Sequence, residues 1–357
     1  PKDSLNLLIT QKKNNYFLGF PFSAYLNESS KKNTDSIFDS WIEKSNSRKS
    51  KLISIFSKKQ LQQLKKYIKD YNDWKVRNGE ELKIIDSVKT EISVENLKSF
   101  YKNNGFFKSK IKTKIIIDQK NKSYGKVNYE IQLGNQYYLD SIKSNIESKV
   151  LDSIYNANNS FSFLKKNKPF NTLDFESERN RLNKLFKNSG IYNFQINSIS
   201  FELKLDTTTI DLSIPVTINI VDNKSKNNLS NNEDTYRLHF IRNINLYTNE
   251  INKLNNDDLE NYITKSGINI YSKGNLKYNP EILTKLISIK KHSLYSDLIR
   301  SKTITQLNNF ENFQYPSISY NYLKNSKNEL EANILLIPKK KFSLGFGVDL
   351  KHSNIED

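Results

Sequence analysis

Two stretches of the chain repeat one pattern of apolar and polar positions. Residues 97–107 read LKSFYKNNGFF and residues 182–192 read LNKLFKNSGIY, 85 residues apart. Leu97, Phe100 and Tyr101 fall at i, i+3 and i+4, one face of a helix, and so do Leu182, Leu185 and Phe186. Ser93 and Thr172 suit the N-caps of these helices, since a hydroxyl accepts from the unpaired N–H groups of a first turn. Gly105 and Gly190 stand where a helix ends in a left-handed residue, which glycine adopts without a Cβ clash.

A hairpin is predicted after each glycine. The first has a strand over Phe107–Asp118, a polar turn at Gln119–Tyr124, and an alternating strand through Val127, Tyr129, Ile131 and Leu133. The second alternates at Phe201, Leu203 and Leu205, then from Ile210 to Ile220. Pro215 lies within that run and cannot donate to a ladder, so it predicts an edge or a bulge. A strand at Tyr137–Ile146 and a short helix at Ser148–Asn156 precede the second phrase. The second unit is therefore strand, helix, helix, strand, strand. The first shows the same tail, its opening strand missing or lying before Pro1.

A third copy follows with less identity. Tyr236–Tyr247 alternates, 280–288 and 294–309 have helical spacing, and Ile318, Tyr320 and Tyr322 alternate before Leu330, Ala332, Ile334 and Leu336. Residues 249–279 form an insertion rich in Asn, Asp and Lys. Residues 342–350, FSLGFGVDL, place Phe342, Leu344, Phe346, Val348 and Leu350 on one face and small or polar residues on the other. That length and alternation fit a transmembrane β-strand.

Composition narrows the chemistry. Lys and Arg outnumber Asp and Glu 56 to 38, a net charge of +18, with Lys spread over every segment. Either phosphate binding or compositional drift accounts for that. Cysteine is absent, which excludes disulfides, thiolate metal sites and a cysteine nucleophile. His239, His292 and His352 are too scattered for a metal site. No nucleotide-binding, zincin or nucleophile-elbow motif occurs. Asp257 and Asp258 read as solvated loop acids, and Trp41 and Trp74 as core anchors of the first unit. Methionine is absent, and the chain opens at Pro1, as a piece of a longer protein would.

The strand–helix–helix–strand–strand unit with its "L..FYKNNGFF" phrase resembles the polypeptide-transport-associated (POTRA) domain of the BamA/TamA outer-membrane assembly family. NPEILTKLISIKKHSLYS (279–296), TITQLNNFENFQYPSISY (303–320) and LEANILLIP (330–338) resemble the domain nearest the barrel. LLITQKKNNYFLGFPFSAYLN (7–27), IFDSWIEK (37–44) and NGEELKIIDS (78–87) are similar to the TamA-like lipoprotein form, often called TamL, of Bacteroidota. The family phrase has a Pro after "QK" where this chain has Lys13.

The resemblance implies an α+β chain of tandem POTRA domains, each a small mixed sheet with two helices on one face. Units at 1–136, 137–223 and 235–338 would lead into a β-barrel from 339. It implies a non-enzymatic assembly or translocation factor in the outer membrane, facing the periplasm and carrying no cofactor. BamA is the alternative within the family. Implied partners are unfolded outer-membrane or surface proteins, an AsmA/TamB-like inner-membrane-spanning protein or periplasmic assembly lipoproteins, and the membrane itself through the barrel. Clients would add as strands along Lys108–Ile117, Asn193–Leu203 and Gln314–Leu323. The edge residues are Lys108, Ile111, Thr113 and Ile115; Phe194, Ile196, Ile199 and Phe201; and Ile318, Tyr320 and Tyr322. The reading from composition alone is a basic single-stranded nucleic-acid-binding protein, with aromatic strands as stacking platforms.

Overall fold

The computed structural model describes residues 2–17, 20–31, 34–117, 125–206, 211–221, 236–248, 259–264 and 266–339. The expected barrel strand at 342–350, the turn at 119–124, and Ile210, Asp257, Asp258 and His352 lie outside them. Pro1–Gln136 and Tyr137–Asp357 form two compact units.

The first unit begins with five helices: α1 (Lys2–Leu8), α2 (Phe22–Glu28), α3 (Thr34–Glu43), α4 (Asn46–Ile55) and α5 (Lys58–Asn78). A capping box starts α5: Ser57 Oγ accepts from Gln60 N, and the Gln60 side chain accepts from Ser57 N. Ala24, Leu26 and Phe38 form a small core between these helices. Trp41 only touches its edge, its ring 6.3 Å from that of Phe38, and Trp41 and Trp74 keep 47% and 43% of their surfaces exposed. The expectation of two buried anchors fails because both side chains lie beside the packed faces.

Side-chain amides fasten this segment. Gln11 Nε2 donates to Ile84 O (3.1 Å) while its Oε1 accepts from Asp86 N (2.9 Å). Asn14 Nδ2 donates to Glu81 O (2.9 Å) and its Oδ1 accepts from Lys83 N (3.0 Å). The Asn72 amide holds both the N–H and the carbonyl of Lys31, at 2.7 and 2.8 Å. Each amide sets one donor and one acceptor against the facing backbone, as a strand residue does.

Helix α6 (Ser87–Asn103) and strands β1 (Lys110–Ile117) and β2 (Gly125–Gln132) complete the first unit. The cap of α6 is Asp86, whose carboxylate accepts from Val88 N and Lys89 N. Ser93 is not the cap. It lies buried within the helix, and its Oγ accepts from Thr10 N at 2.9 Å. Strands β1 and β2 form a two-stranded antiparallel sheet. Ile111 faces Ile131, Thr113 faces Tyr129 and Ile115 faces Val127 across it.

The second unit opens with β3 (Tyr138–Ile146), α7 (Lys149–Ala157), α8 (Thr172–Asn188), β4 (Ile199–Leu203) and β5 (Ser213–Ile220). Asn171, not Thr172, caps α8 through Leu173 N. The sheet order is β3-β5-β4, with β5 parallel to β3 and antiparallel to β4. Ile214, Val216, Ile218 and Ile220 of the central strand are fully buried. Pro215 therefore sits in a central strand, where the register of β3 shifts so that Asp140 and Ser141 oppose it. Its own backbone groups turn the other way, toward β4, which ends at Leu203, so its missing N–H falls just past the end of that ladder. Its carbonyl accepts from Lys204 N.

The chain then repeats that order with β6 (Phe240–Tyr247), β7 (Leu259–Ile263), β8 (Asn269–Lys273), α9 (Pro280–Lys285), α10 (Asp297–Asn309), β9 (Phe313–Tyr322) and β10 (Glu329–Pro338). The sheet is β7-β8-β6-β10-β9, with β10 parallel to β6 and antiparallel to β9. Removing β7 and β8 leaves the topology of β3-β5-β4. The polar insertion thus extends the sheet. Asn333, Asn245 and Asn269 link β10, β6 and β8 by side-chain bonds of 3.0 Å.

The two sheets of this unit meet at Gly190. Its φ is 101°, and an added Cβ would stand 3.0 Å from Leu294 Cδ2 and 3.3 Å from Leu238 Cδ2. Gly190 O accepts from His239 N at 2.8 Å. Tyr192 contacts the rings of His239, Tyr295, Tyr320 and Tyr322, and Asn188 Oδ1 accepts from Leu298 N. Gly105 has the same left-handed backbone at φ 85°. The structural repeat residues keep their packing role: Leu97, Leu182 and Phe186 are fully buried, and Tyr101 stacks edge-on with Phe100 and Phe106.

Candidate strand-receiving edges

Three strands follow a helix, β1 after α6, β4 after α8 and β9 after α10, and each ends its sheet. An edge strand presents unpaired N–H and C=O groups. The three edges differ in length and in what already occupies them.

Strand β1 has eight residues. Lys110, Lys112 and Lys114 lie on one face and are exposed, while Ile111 is buried on the helix face. Ile115, Ile116 and Ile117 are 52%, 43% and 60% exposed. Lys108 precedes the strand and is not part of the edge. Tyr129, opposite Thr113, has a buried hydroxyl without a hydrogen-bond partner.

Strand β4 has five residues. The expected edge over Asn193–Leu203 is shortened because Ile196–Ser198 turn as a 3₁₀ helix and Phe194 is buried against Phe186 at 4.8 Å. The edge that the resemblance implies runs across that turn. Lys204 N bonds β5, so by the antiparallel alternation Ile199, Phe201 and Leu203 turn their backbone groups outward. The Phe201 ring faces α8, edge-on to Phe175 at 5.3 Å with the Arg179 guanidinium over it.

Strand β9 has ten residues but a guarded edge. Tyr315 and Pro316 bulge opposite Leu336. Tyr315 has φ 45° and is 90% exposed, and Pro316 has no N–H to offer. Leu323 N bonds Glu329 O, so the outward groups are those of Ile318, Tyr320 and Tyr322. Two of those carbonyls are taken: Tyr192 Oη donates to Tyr320 O at 3.3 Å and Arg300 to Ile318 O at 3.5 Å. The Ile318 and Tyr320 side chains are buried.

His239 lies beneath β9. Its Nδ1 lies 3.3 Å from Tyr192 N and 3.2 Å from Gly190 O, and its Nε2 lies 3.3 Å from Tyr322 Oη. Burial holds this imidazole below its ordinary range and outweighs the pull of the Gly190 carbonyl. Burial likewise raises the Tyr295, Tyr320 and Tyr322 phenols. A buried ion pair on α8 holds the α7–α8 connection. Glu178, with no exposed surface, accepts from Arg181 at 2.7 and 2.9 Å and from Phe163 N at 3.0 Å. Sequence reading missed this pair, since an i,i+3 Glu–Arg spacing looks the same on a wet face.

Catalytic geometry is not found at these edges. Among the described residues no cluster of His, Asp and Glu could hold a metal ion, and no helix is long and apolar enough to cross a membrane. An open cleft of about 860 Å³ between residues 10–12 and 80–89 holds Lys12, Glu80, Lys83 and Asp86, with Glu80 engaged by Asn15 N and Lys83. Phe201 packs on α8 and Tyr320 is buried against Tyr192 and Tyr295, so neither is a stacking platform for bases.

The edges and the doubled strand order define an α+β chain of small mixed sheets with helices between first and second strands. No protein-family model matches the chain, and no curated protein matches it. Solved structures similar to it include POTRA domains 3–5 of BamA from Haemophilus influenzae, 14% identical with a TM-score of 0.34 over 71% of this chain and 81% of that one. BamA from Haemophilus ducreyi lacking POTRA domains 1–3 is 10% identical with a TM-score of 0.37, over 57% of this chain and 30% of that one. POTRA domains 1–3 of Omp85 from Anabaena are 11% identical with a TM-score of 0.25, over 73% and 85%. With TM-scores this low, the likeness adds nothing to the strand order itself.

Proposed function

We propose that this chain is the periplasm-facing, tandem-POTRA part of an outer-membrane protein assembly or translocation factor of the BamA/TamA kind, nearest in its motifs to the TamA-like lipoproteins. It receives unfolded clients as extended strands, chiefly along β1. The observation that carries this reading is the eight-residue edge of β1 beside a helix–glycine–hairpin cassette that recurs in the chain. Backbone bonds do not read side chains, so such an edge accepts many sequences. The lysines of β1 keep it from pairing with its own copies, because like charges oppose each other in an edge-to-edge dimer. Strand β4 offers a shorter secondary edge, and the side-chain bonds on β9 close most of the third.

Because the chain has no cysteine, single introduced cysteines report one position each. Thr113→Cys, Ser200→Cys and Ser319→Cys chains would be challenged with an unfolded outer-membrane strand peptide carrying a thiol crosslinker. Capture is expected strongest at 113 and weakest at 319. Equal capture at all three, or none, overturns the proposal.

A further inference from the structure

We infer that α5 docks on an anionic bilayer surface. This rests on the exposed face of one helix and not on the strand-addition reading. The buried side of α5 carries Leu61, Asn72 and Lys65, the last paired with Asp39 at 2.8 Å. A second stripe, Leu64, Tyr67, Tyr71 and Trp74, runs along the helix at i, i+3, i+7 and i+10. It is exposed by 39%, 72%, 58% and 43%. Tyr71 and Trp74 stack at 5.9 Å with an interplanar angle of 10°, and Lys75 lies 4.9 Å over the Tyr71 ring.

The composition of this stripe selects its partner. Tyrosine and tryptophan combine an apolar body with a polar tip, which suits them to the headgroup level of a bilayer. Lys59, Lys66 and Arg77 are exposed along one flank of the stripe and Lys75 lies on the other. In all, α5 carries seven basic residues against Asp70 and Asp73. A helix with an aromatic stripe and basic flanks lies in the plane of an anionic interface. A groove on a protein client would ask instead for branched aliphatic residues and fewer lysines.

The test uses the full chain with Trp41→Phe, leaving Trp74 as the sole tryptophan. Vesicles contain phosphatidylcholine with about one-third phosphatidylglycerol, with brominated acyl chains in a parallel set. Expected are a blue shift of Trp74 emission, quenching by the brominated chains, and loss of both at high salt. Lys59→Glu and Lys66→Glu should each weaken binding about fivefold. Tyr67→Ser with Tyr71→Ser should abolish quenching while the circular dichroism spectrum stays unchanged. Vesicles that sediment the chain without moving Trp74 emission would overturn the inference. So would a shift on neutral vesicles that ignores the charge reversals, or one caused by an unfolded polypeptide and not by vesicles.

Discussion

The β1–β2 ribbon and the β3-β5-β4 sheet grow from the same cassette of helix, glycine and hairpin, yet they end in different states. Strand β5 has a partner on each side and four fully buried apolar residues. At roughly 1.5–3 kcal/mol for each buried side chain, that strand alone gathers on the order of 6–12 kcal/mol before entropy is counted. Strand β2 has one partner and only half-buried Val127, Tyr129 and Ile131. An isolated pair of strands is marginal in water. The cassette therefore specifies a hairpin after a helix, while the parallel third strand turns the hairpin into a sheet. What the ribbon lacks in stability it keeps as open backbone.

The contrast breaks first at the buried ion pair. Glu178→Ala removes the countercharge of Arg181, leaving it Asn158 O alone, and takes the acceptor from Phe163 N; it should cost about 3–5 kcal/mol. Urea unfolding followed through residues 137–221 should show the loss, and a label on β1 should not. The two repeat glycines sharpen the comparison next. Gly105→Ala forces a left-handed alanine, at about 1–2 kcal/mol. Gly190→Ala adds crowding against Leu294 and Leu238, for a total of roughly 2–4 kcal/mol. Paired thermal melts of the two variants would reverse this order if Gly190 were only a helix cap.

His239 sets a smaller, pH-dependent difference. Its folded-state affinity for protons is depressed, so below about pH 6.5 the unfolded chain binds a proton that the folded chain refuses. Stability of the second unit should fall as pH drops through that value, by at most about 1.4 kcal/mol per pH unit, and level off below the folded pKa. His239→Gln should flatten the profile in denaturant titrations across pH 5–8. The smallest expected effect is at β9. Tyr192→Phe removes the bond to Tyr320 O, worth about 1 kcal/mol, and should raise crosslinking through Ser319→Cys severalfold. Unchanged capture would mean that the bulge at Tyr315 and Pro316 guards this edge unaided.

Periodicity made the cassette legible. Leu97, Phe100 and Tyr101, and their counterparts Leu182, Leu185 and Phe186, marked helix faces at both copies, and alternation found β2, β5 and β10. It failed where local geometry departs from a repeating period. The turn at Ile196–Ser198 lies just before the alternating run that begins at Phe201, inside the edge implied over Asn193–Leu203. Strand β8 reads NIYSK, short and mostly polar, and the Asn245 side chain that accepts from its Asn269 comes from elsewhere in the chain. Ser93 had the right chemistry for a cap, but Asp86 stood about two turns earlier and the serine hydroxyl went to residue Thr10 instead. Trp74 looked like core because its size favours burial, and nothing in its spacing distinguishes the packed side of α5 from the neighbouring stripe.

The amides of Gln11 and Asn14 tie residues 11–14 to residues 81–86, so both ends of the helical segment between them are stitched at one place. Whatever lies between those stitches can lengthen, shrink or be exchanged without disturbing how the chain enters α6. The α2–α5 bundle is thus a replaceable fitting on a fixed mount, and a graft between residues 16 and 80 is the natural place to give this protein a new attachment.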